Sequence, residues 1–114
     1  TELPALFAND DAVARSIIDA SNKAKDPLWQ LPLFDDYDRY LDAGYAAMSS
    51  TGASGYGGAI TAALFLRRFA GADSNWAHID VMAWNLSGRP GRPKGGEVMG
   101  LRALFDYIDG LARS

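Results

Sequence analysis

The chain contains no cysteine, which removes disulfides, thiolate metal sites and a cysteine nucleophile in one step. That absence fits a reducing compartment. Histidine is almost as scarce: His78 stands alone, so no histidine cluster can assemble a metal site. Positive charge is in the minority, with eleven Lys and Arg against fourteen Asp and Glu and a net charge of −3. Broad attraction to nucleic acid or to an anionic membrane surface needs a basic face, and none is expected here. Long apolar runs are also missing. The longest stretch, AITAALFL at 59–66, falls far short of the roughly 20 residues that cross a bilayer. No charged-then-apolar signal opens the sequence, although the first residue, Thr1, is not an initiator methionine.

What remains is the composition of a soluble globular domain, 48% hydrophobic and 22% charged over 114 residues. A chain of this length forms one domain or part of one. LPALFA at 3–8 reads as a short strand end. Asn9, Asp10 and Asp11 form a helix-start signal, and Val13, Ile17 and Ile18 follow at helical spacing, which predicts a helix over 10–24. KDPLWQLPLFDD at 25–36 carries two prolines and reads as an extended connector. DDYDRYLDA at 35–43 predicts a short helix capped by Asp35 or Asp36. YAAMS at 45–49 suits a strand, and STGASGYGG at 50–58 is dense in turn-formers.

The helix at 59–69 carries apolar residues nearly all the way round, so it should be covered on most sides. In so small a chain that implies a second subunit or more polypeptide. NWAHIDVMAWN at 75–85 reads as a strand. One face would carry Trp76, His78, Asp80, Met82 and Trp84. The other, Ala77, Ile79, Val81 and Ala83, is expected to face the core. NLSGRPGRPKGGE at 85–97 is too rich in Gly and Pro to be regular. A last helix at 97–111 would bury Val98, Leu101, Leu104, Phe105, Ile108 and Leu111. The order of elements gives an α/β fold in which a helix bridges a parallel pair of strands.

Each candidate for chemistry is weak alone. His78 and Asp80 share a strand face, but two ligands are too few for a structural zinc site. No G-x-S-x-G elbow supplies a nucleophile. The bland alternative is a half-buried histidine whose ring bonds to its neighbours. GASGYGG at 52–58 precedes a helix, as a phosphate cradle does. It lacks the Gly-Lys-Ser/Thr ending of a P-loop and does not fit G-x-G-x-x-G, so a tight turn feeding a closely packed helix accounts for it. Arg89, Arg92 and Lys94 could grip an anion or simply be solvated. The carboxylates at 35, 36 and 38 suit a helix N-terminus.

The combination is far more specific. DPLWQLPL (26–33), GGAITAALFLRRF (57–69), NWAHIDVMAW (75–84) and GRPKGGEVMGLRAL (91–104) follow one another at close spacing. In this order they resemble the C-terminal part of the leucyl (cytosol) aminopeptidase family, in its proteobacterial branch, over essentially the whole chain. The resemblance implies a partial α/β/α sandwich around a mixed or parallel sheet. It also implies a cytoplasmic, usually hexameric exopeptidase that releases N-terminal amino acids from peptides. In that family two divalent ions, typically zinc, manganese or magnesium, activate the attacking water.

The family's metal ligands, and its catalytic lysine and arginine, lie upstream, the arginine within an NTDAEGR motif that this sequence lacks. Residues 1–114 are therefore expected to be a C-terminal fragment of the catalytic domain. It would hold no metal ligand and no catalytic residue, and would be inactive alone. What it would keep is substrate contact. Ligands of open α/β sheets sit beyond the carboxyl ends of strands. By resemblance Thr51, Gly52, Met82, Ala83 and Asn85 wall the pockets around the scissile bond. Met82 would give a pliable apolar surface and Asn85 an amide at the mouth. AAMSS at 46–50 departs from the family's A-D-x-x-N-like pattern, with Ala47 at the acidic position. The implied partners are peptide substrates and further copies of the chain, with neither nucleic acid nor membrane. A free-standing α/β interaction module and a small phosphate binder are the competing readings.

Overall fold

The structure, a computed structural model, describes residues 3–41, 58–71 and 73–114, without the side chain of Tyr40. The predicted strand at 45–49 and the glycine-rich turn lie outside the described residues. LPALFA delivers β1 (Ala5–Ala8). α1 (Asp11–Lys23) follows, capped by the Asp10 carboxylate, which accepts from the N–H of Ala12 and Val13. That is the start signal expected of Asn9–Asp11. Within the proline-flanked connector a two-residue strand, β2 (Trp29–Gln30), forms. A 3-10 helix covers Asp35–Leu41.

α2 spans Gly58–Ala70. The stretch read as one strand then divides into β3 (Ala77–Asp80) and β4 (Trp84–Asn85). β4 pairs antiparallel with β5 (Gly95–Gly96). α3 (Leu101–Arg113) ends the chain.

The main sheet has the order β2-β1-β3. β1 runs parallel to β2, with Ala5 opposite Trp29, and antiparallel to β3, with Phe7 opposite His78. The sheet is thus mixed. Its parallel pair is β1 and β2, bridged by α1, while β3 enters reversed. Alternation along β1 divides the core in two. Leu6 points to one face, packing with Ala14, Ile17, Leu28 and Ala103 of α1, the connector and α3. Ala5 and Phe7 point to the other, against Ala63 of α2. Helices therefore cover both faces, as a partial α/β/α sandwich requires.

Two expectations about burial need correction. The core face assigned to 75–85 holds only at Ile79, which packs against the first cluster, whereas Val81 and Ala83 are exposed. Pairing with β1 ends at Asp80, so Val81 lies past the sheet, and Ala83, in a left-handed conformation (φ 58°), ends the two-residue alternation after it. The stripe assigned to the last helix is also turned outward. α3 begins at Leu101 rather than near Glu97, and it buries Ala103 with Leu104 and Tyr107 beside it. Leu101, Phe105, Ile108 and Leu111 stay exposed, as does Val98 ahead of them.

The molecule is correspondingly spread out. Its accessible surface of 7363 Å² exceeds the roughly 6,100 Å² of a compact monomer of this mass. It forms a slab of 45 × 38 × 17 Å.

Candidate functional site

The carboxyl end of β3 runs into a short irregular turn, and there the expected pocket residues divide. Met82 is 40% exposed and Ala83 is exposed beside it. Asn85 is buried at 3% exposure, and its side-chain amide donates to the carbonyl of Pro93 at 3.2 Å. It also bonds to Glu97. Asn85 thus ties the glycine- and proline-rich loop to β4, while Met82 and Ala83 offer free surface. Thr51 and Gly52 lie outside the described residues.

Glu97 organises this end of the sheet. Its backbone N–H donates to the Ala83 carbonyl at 3.1 Å and so supports the left-handed turn. Its carboxylate is largely buried and meets Arg92 at 2.8 Å and Arg89 at 3.2 Å. Burial alone would raise its pKa. Hydrogen bonds from Arg89 and Asn85, with the charges of Arg92 and Arg89, outweigh that and hold it below the ordinary glutamate value. The two arginines that looked able to grip an external anion grip one from their own loop. The signal in the sequence was Glu97 itself, a lone carboxylate closing a stretch whose charges are otherwise Arg89, Arg92 and Lys94.

Beside this cluster lies an open cleft of about 290 Å³, lined by Lys25, Asp26, Arg89, Arg92, Glu97 and Arg102 among others. Asp26, 7% exposed, turns its carboxylate to the start of α3, accepting from the N–H of Gly100 and of Ala103, both at 3.1 Å.

His78 and Asp80 do not form a site. The His78 ring stacks on Phe7 with centroids 6.0 Å apart. Its Nε2 is buried with no hydrogen-bond partner among the described residues, so at that nitrogen the expected ring hydrogen bond is not made. Burial lowers the His78 pKa and the Asp80 charge only partly offsets it. The acidic residues after Phe34 likewise do more than complement a helix dipole. Asp35 meets Arg67 at 2.6 Å and Asp38 meets Arg68 at 3.1 Å, tying the 3-10 helix to α2.

Among the described residues no group of three or more His, Cys, Asp or Glu side chains could hold a metal ion. The described residues do not fit a di-metal centre, and no reaction step is routed through one.

Comparison with known proteins places this geometry. Residues 1–105 match the Cytosol aminopeptidase family, catalytic domain. A probable cytosol aminopeptidase of Syntrophotalea carbinolica is 43% identical over 110 residues, covering 95% of this chain and 22% of that protein. Another, from Methylobacillus flagellatus, is 46% identical over 93 residues, covering 77% of this chain and 18% of that protein. The crystal structure of the Coxiella burnetii cytosol aminopeptidase superposes with a TM-score of 0.88 at 52% identity, covering 96% of this chain and 24% of that one. The bottromycin maturation enzyme BotP superposes at 0.87 and 32% identity, covering all of this chain and 26% of that one. The chain spans about a fifth of the length of the curated relatives it matches, and within that span it belongs to the cytosol aminopeptidase family.

Proposed function

We propose that residues 1–114 are the C-terminal part of the catalytic domain of a cytoplasmic di-metal aminopeptidase. The parent would release N-terminal amino acids from peptides, using zinc or manganese held by residues outside this chain. The fragment supplies substrate-pocket walls and subunit contacts and is inactive alone. The observation that carries this reading is the match of 105 of 114 residues to a catalytic domain in a chain that offers no metal-binding cluster among its described residues.

The wall is Met82 and Ala83, left exposed where β3 ends, and by family resemblance Thr51 and Gly52 belong to it. Asn85 acts from behind. Its amide fixes the loop on which the wall rests, and it meets substrate only at the mouth. Glu97 positions the Ala83 carbonyl and so sets the height of the wall.

The test joins sequence to activity. The coding region upstream of Thr1 is read for an NTDAEGR-like motif, and the extended polypeptide is assayed on leucyl-p-nitroanilide with added manganese or zinc. The extended enzyme should cleave and the 114-residue chain should not. In the extended enzyme Met82→Ala should raise KM and change the preferred N-terminal residue, with a smaller effect on kcat. An unrelated upstream domain, or none, would favour a free-standing interaction module instead and end this proposal.

A further inference from the structure

The open cleft beside Glu97 holds more positive charge than its own carboxylates neutralise. Four cations, Lys25, Arg89, Arg92 and Arg102, line it together with two acids, Asp26 and Glu97. The chain as a whole carries a net charge of −3, so this excess is local. A concave surface dominated by one sign of charge concentrates ions of the other.

Neither acid supplies the balance. Glu97 is shared by Arg89 and Arg92, which leaves that trio one positive charge in excess. Asp26 spends its two oxygens on the N–H groups of Gly100 and Ala103. The Arg102 guanidinium comes no nearer to that carboxylate than 3.9 Å and stays 48% exposed. It donates instead to the carbonyl of Lys25, at 3.4 Å. Lys25 is itself exposed, and its amine has no acidic partner among the described residues.

The backbone at Lys25 adds a second, independent observation. The residue follows α1 with a φ of 54°, the left-handed position that closes many helices and that glycine fills at least cost. Strain of this kind concentrates at sites of function, and no ion pair within the fold accounts for a lysine there. The lining is not all charged. Pro4, Pro27 and Met99 give it apolar surface. At about 290 Å³ the cleft stands at the small end of ligand sites, with room for one small molecule.

We propose that this cleft is a binding site for a small organic phosphate, its dianion held between Lys25 and Arg102 and its carbon body laid against Pro4, Pro27 and Met99. Phosphate suits the place better than carboxylate, because two uncompensated cations match two negative charges and a guanidinium takes phosphate oxygens in pairs. The residual charge of the Arg89, Arg92 and Glu97 trio adds attraction at longer range. Met82 and Ala83 do not line the cleft. The test reads binding and not peptide cleavage, so this proposal and that of an aminopeptidase fragment fail separately.

The experiment is titration calorimetry at pH about 8, where a phosphate monoester is a dianion, on the polypeptide that the gene encodes across these residues. The probes are phenyl phosphate, inorganic phosphate and benzoate. Heat belonging to the cleft is the part that Lys25→Gly removes. Phenyl phosphate should bind severalfold more tightly than inorganic phosphate, through its apolar ring, and about tenfold more tightly than benzoate. Affinity should fall as salt is added. Lys25→Gly and Arg102→Ala should each weaken binding about tenfold. Lys25→Gly should melt no lower than the native protein, because glycine relieves the left-handed strain. Its loss of binding is then not a loss of fold.

No saturable binding of phenyl phosphate, or binding indifferent to both variants, overturns the proposal. So does benzoate held as tightly as phenyl phosphate. An acidic segment of the same polypeptide seated in the cleft would abolish binding and lower the melting temperature of Arg102→Ala, and that too would overturn it.

Discussion

The carboxylate of Asp26 accepts a hydrogen bond from the backbone N–H of Ala103, 77 residues further along the chain, and a second from that of Gly100. α3 begins at a glycine with no side chain to cap it, and the loop after α1 supplies the missing acceptor. Asp26→Ala leaves two buried N–H groups without partners, so a loss of about 1–3 kcal/mol is expected, read as a lower urea midpoint. Asp26→Asn, which keeps one acceptor oxygen, should recover part of it. An alanine variant as stable as the parent chain would show that water replaces the cap at no cost.

Gly100 makes a separate demand. Its φ is +89°, and a Cβ there would meet the methyl groups of Leu28 and Ile79 at 3.5–3.7 Å, an ordinary contact. Space is therefore not the constraint; the left-handed backbone is. Gly100→Ala should cost about 1 kcal/mol, measured by the same denaturation. A much larger loss would mean that the two methyl groups cannot yield.

Glu97 is the pin of the loop between β4 and α3, and proteolysis can measure it. Trypsin cuts poorly before proline, which protects Arg89 and Arg92 and leaves Lys94–Gly95 as the susceptible bond in this loop. Glu97→Gln removes the charge that both arginines share, so cleavage after Lys94 should accelerate severalfold while the global unfolding midpoint moves little, because such opening is local. Since the folded pKa is lowered from 4.5, the pin is fully present above that value and loosens as pH falls through the depressed one. A cleavage rate equal in both proteins would show that the glycine- and proline-rich backbone holds itself.

Local signals in the sequence were faithful wherever the cause was local. Asp10 caps α1 because an acceptor before an apolar-periodic run has two free N–H groups within reach. β1 and α2 also lie close to where composition placed them. The failures have distant causes. Leu101, Phe105, Ile108 and Leu111 are apolar enough to suggest a core, but periodicity cannot tell a face covered by this chain from one covered by something else. The core face of 75–85 failed because β1 pairs with β3 only as far as Asp80 and because Glu97, across the loop, holds the carbonyl of the left-handed Ala83. Of the candidate wall, Met82 and Ala83 were legible as the end of a strand. The hold of Pro93 and Glu97 on the Asn85 amide was not legible, because both lie across a loop with no periodic signal.

Metal binding gives a direct check on where the chemistry resides. No three His, Cys, Asp or Glu side chains converge among the described residues, and Asp26, Asp35, Asp38 and Glu97 are already engaged by backbone N–H groups or arginines. After incubation with zinc or manganese and dialysis, the 114-residue chain should retain far less than one ion per molecule by mass spectrometry. One ion retained per chain and lost in His78→Ala would place a ligand on β3 and refute this.

His78 gives the fold a dependence on pH whose sign follows from its surroundings. Burial against Phe7 disfavours the imidazolium more than the Asp80 charge favours it, so the folded pKa lies below 6.5. Between the folded and unfolded values the unfolded chain binds more protons, and stability therefore rises with pH across that window. The contribution is complete above 6.5 and is lost as pH falls through the lowered value. His78→Phe removes the titration and also the buried Nε2 that has no partner among the described residues, so the variant should gain on the native chain as the solution is acidified. Urea unfolding of both proteins at pH about 7.5 and about 5, on either side of an ordinary histidine pKa, isolates the effect, because every carboxylate common to the two cancels in the difference. A difference in stability that is the same at both pH values would mean that His78 is hydrated in the fold and titrates as it does in the unfolded chain.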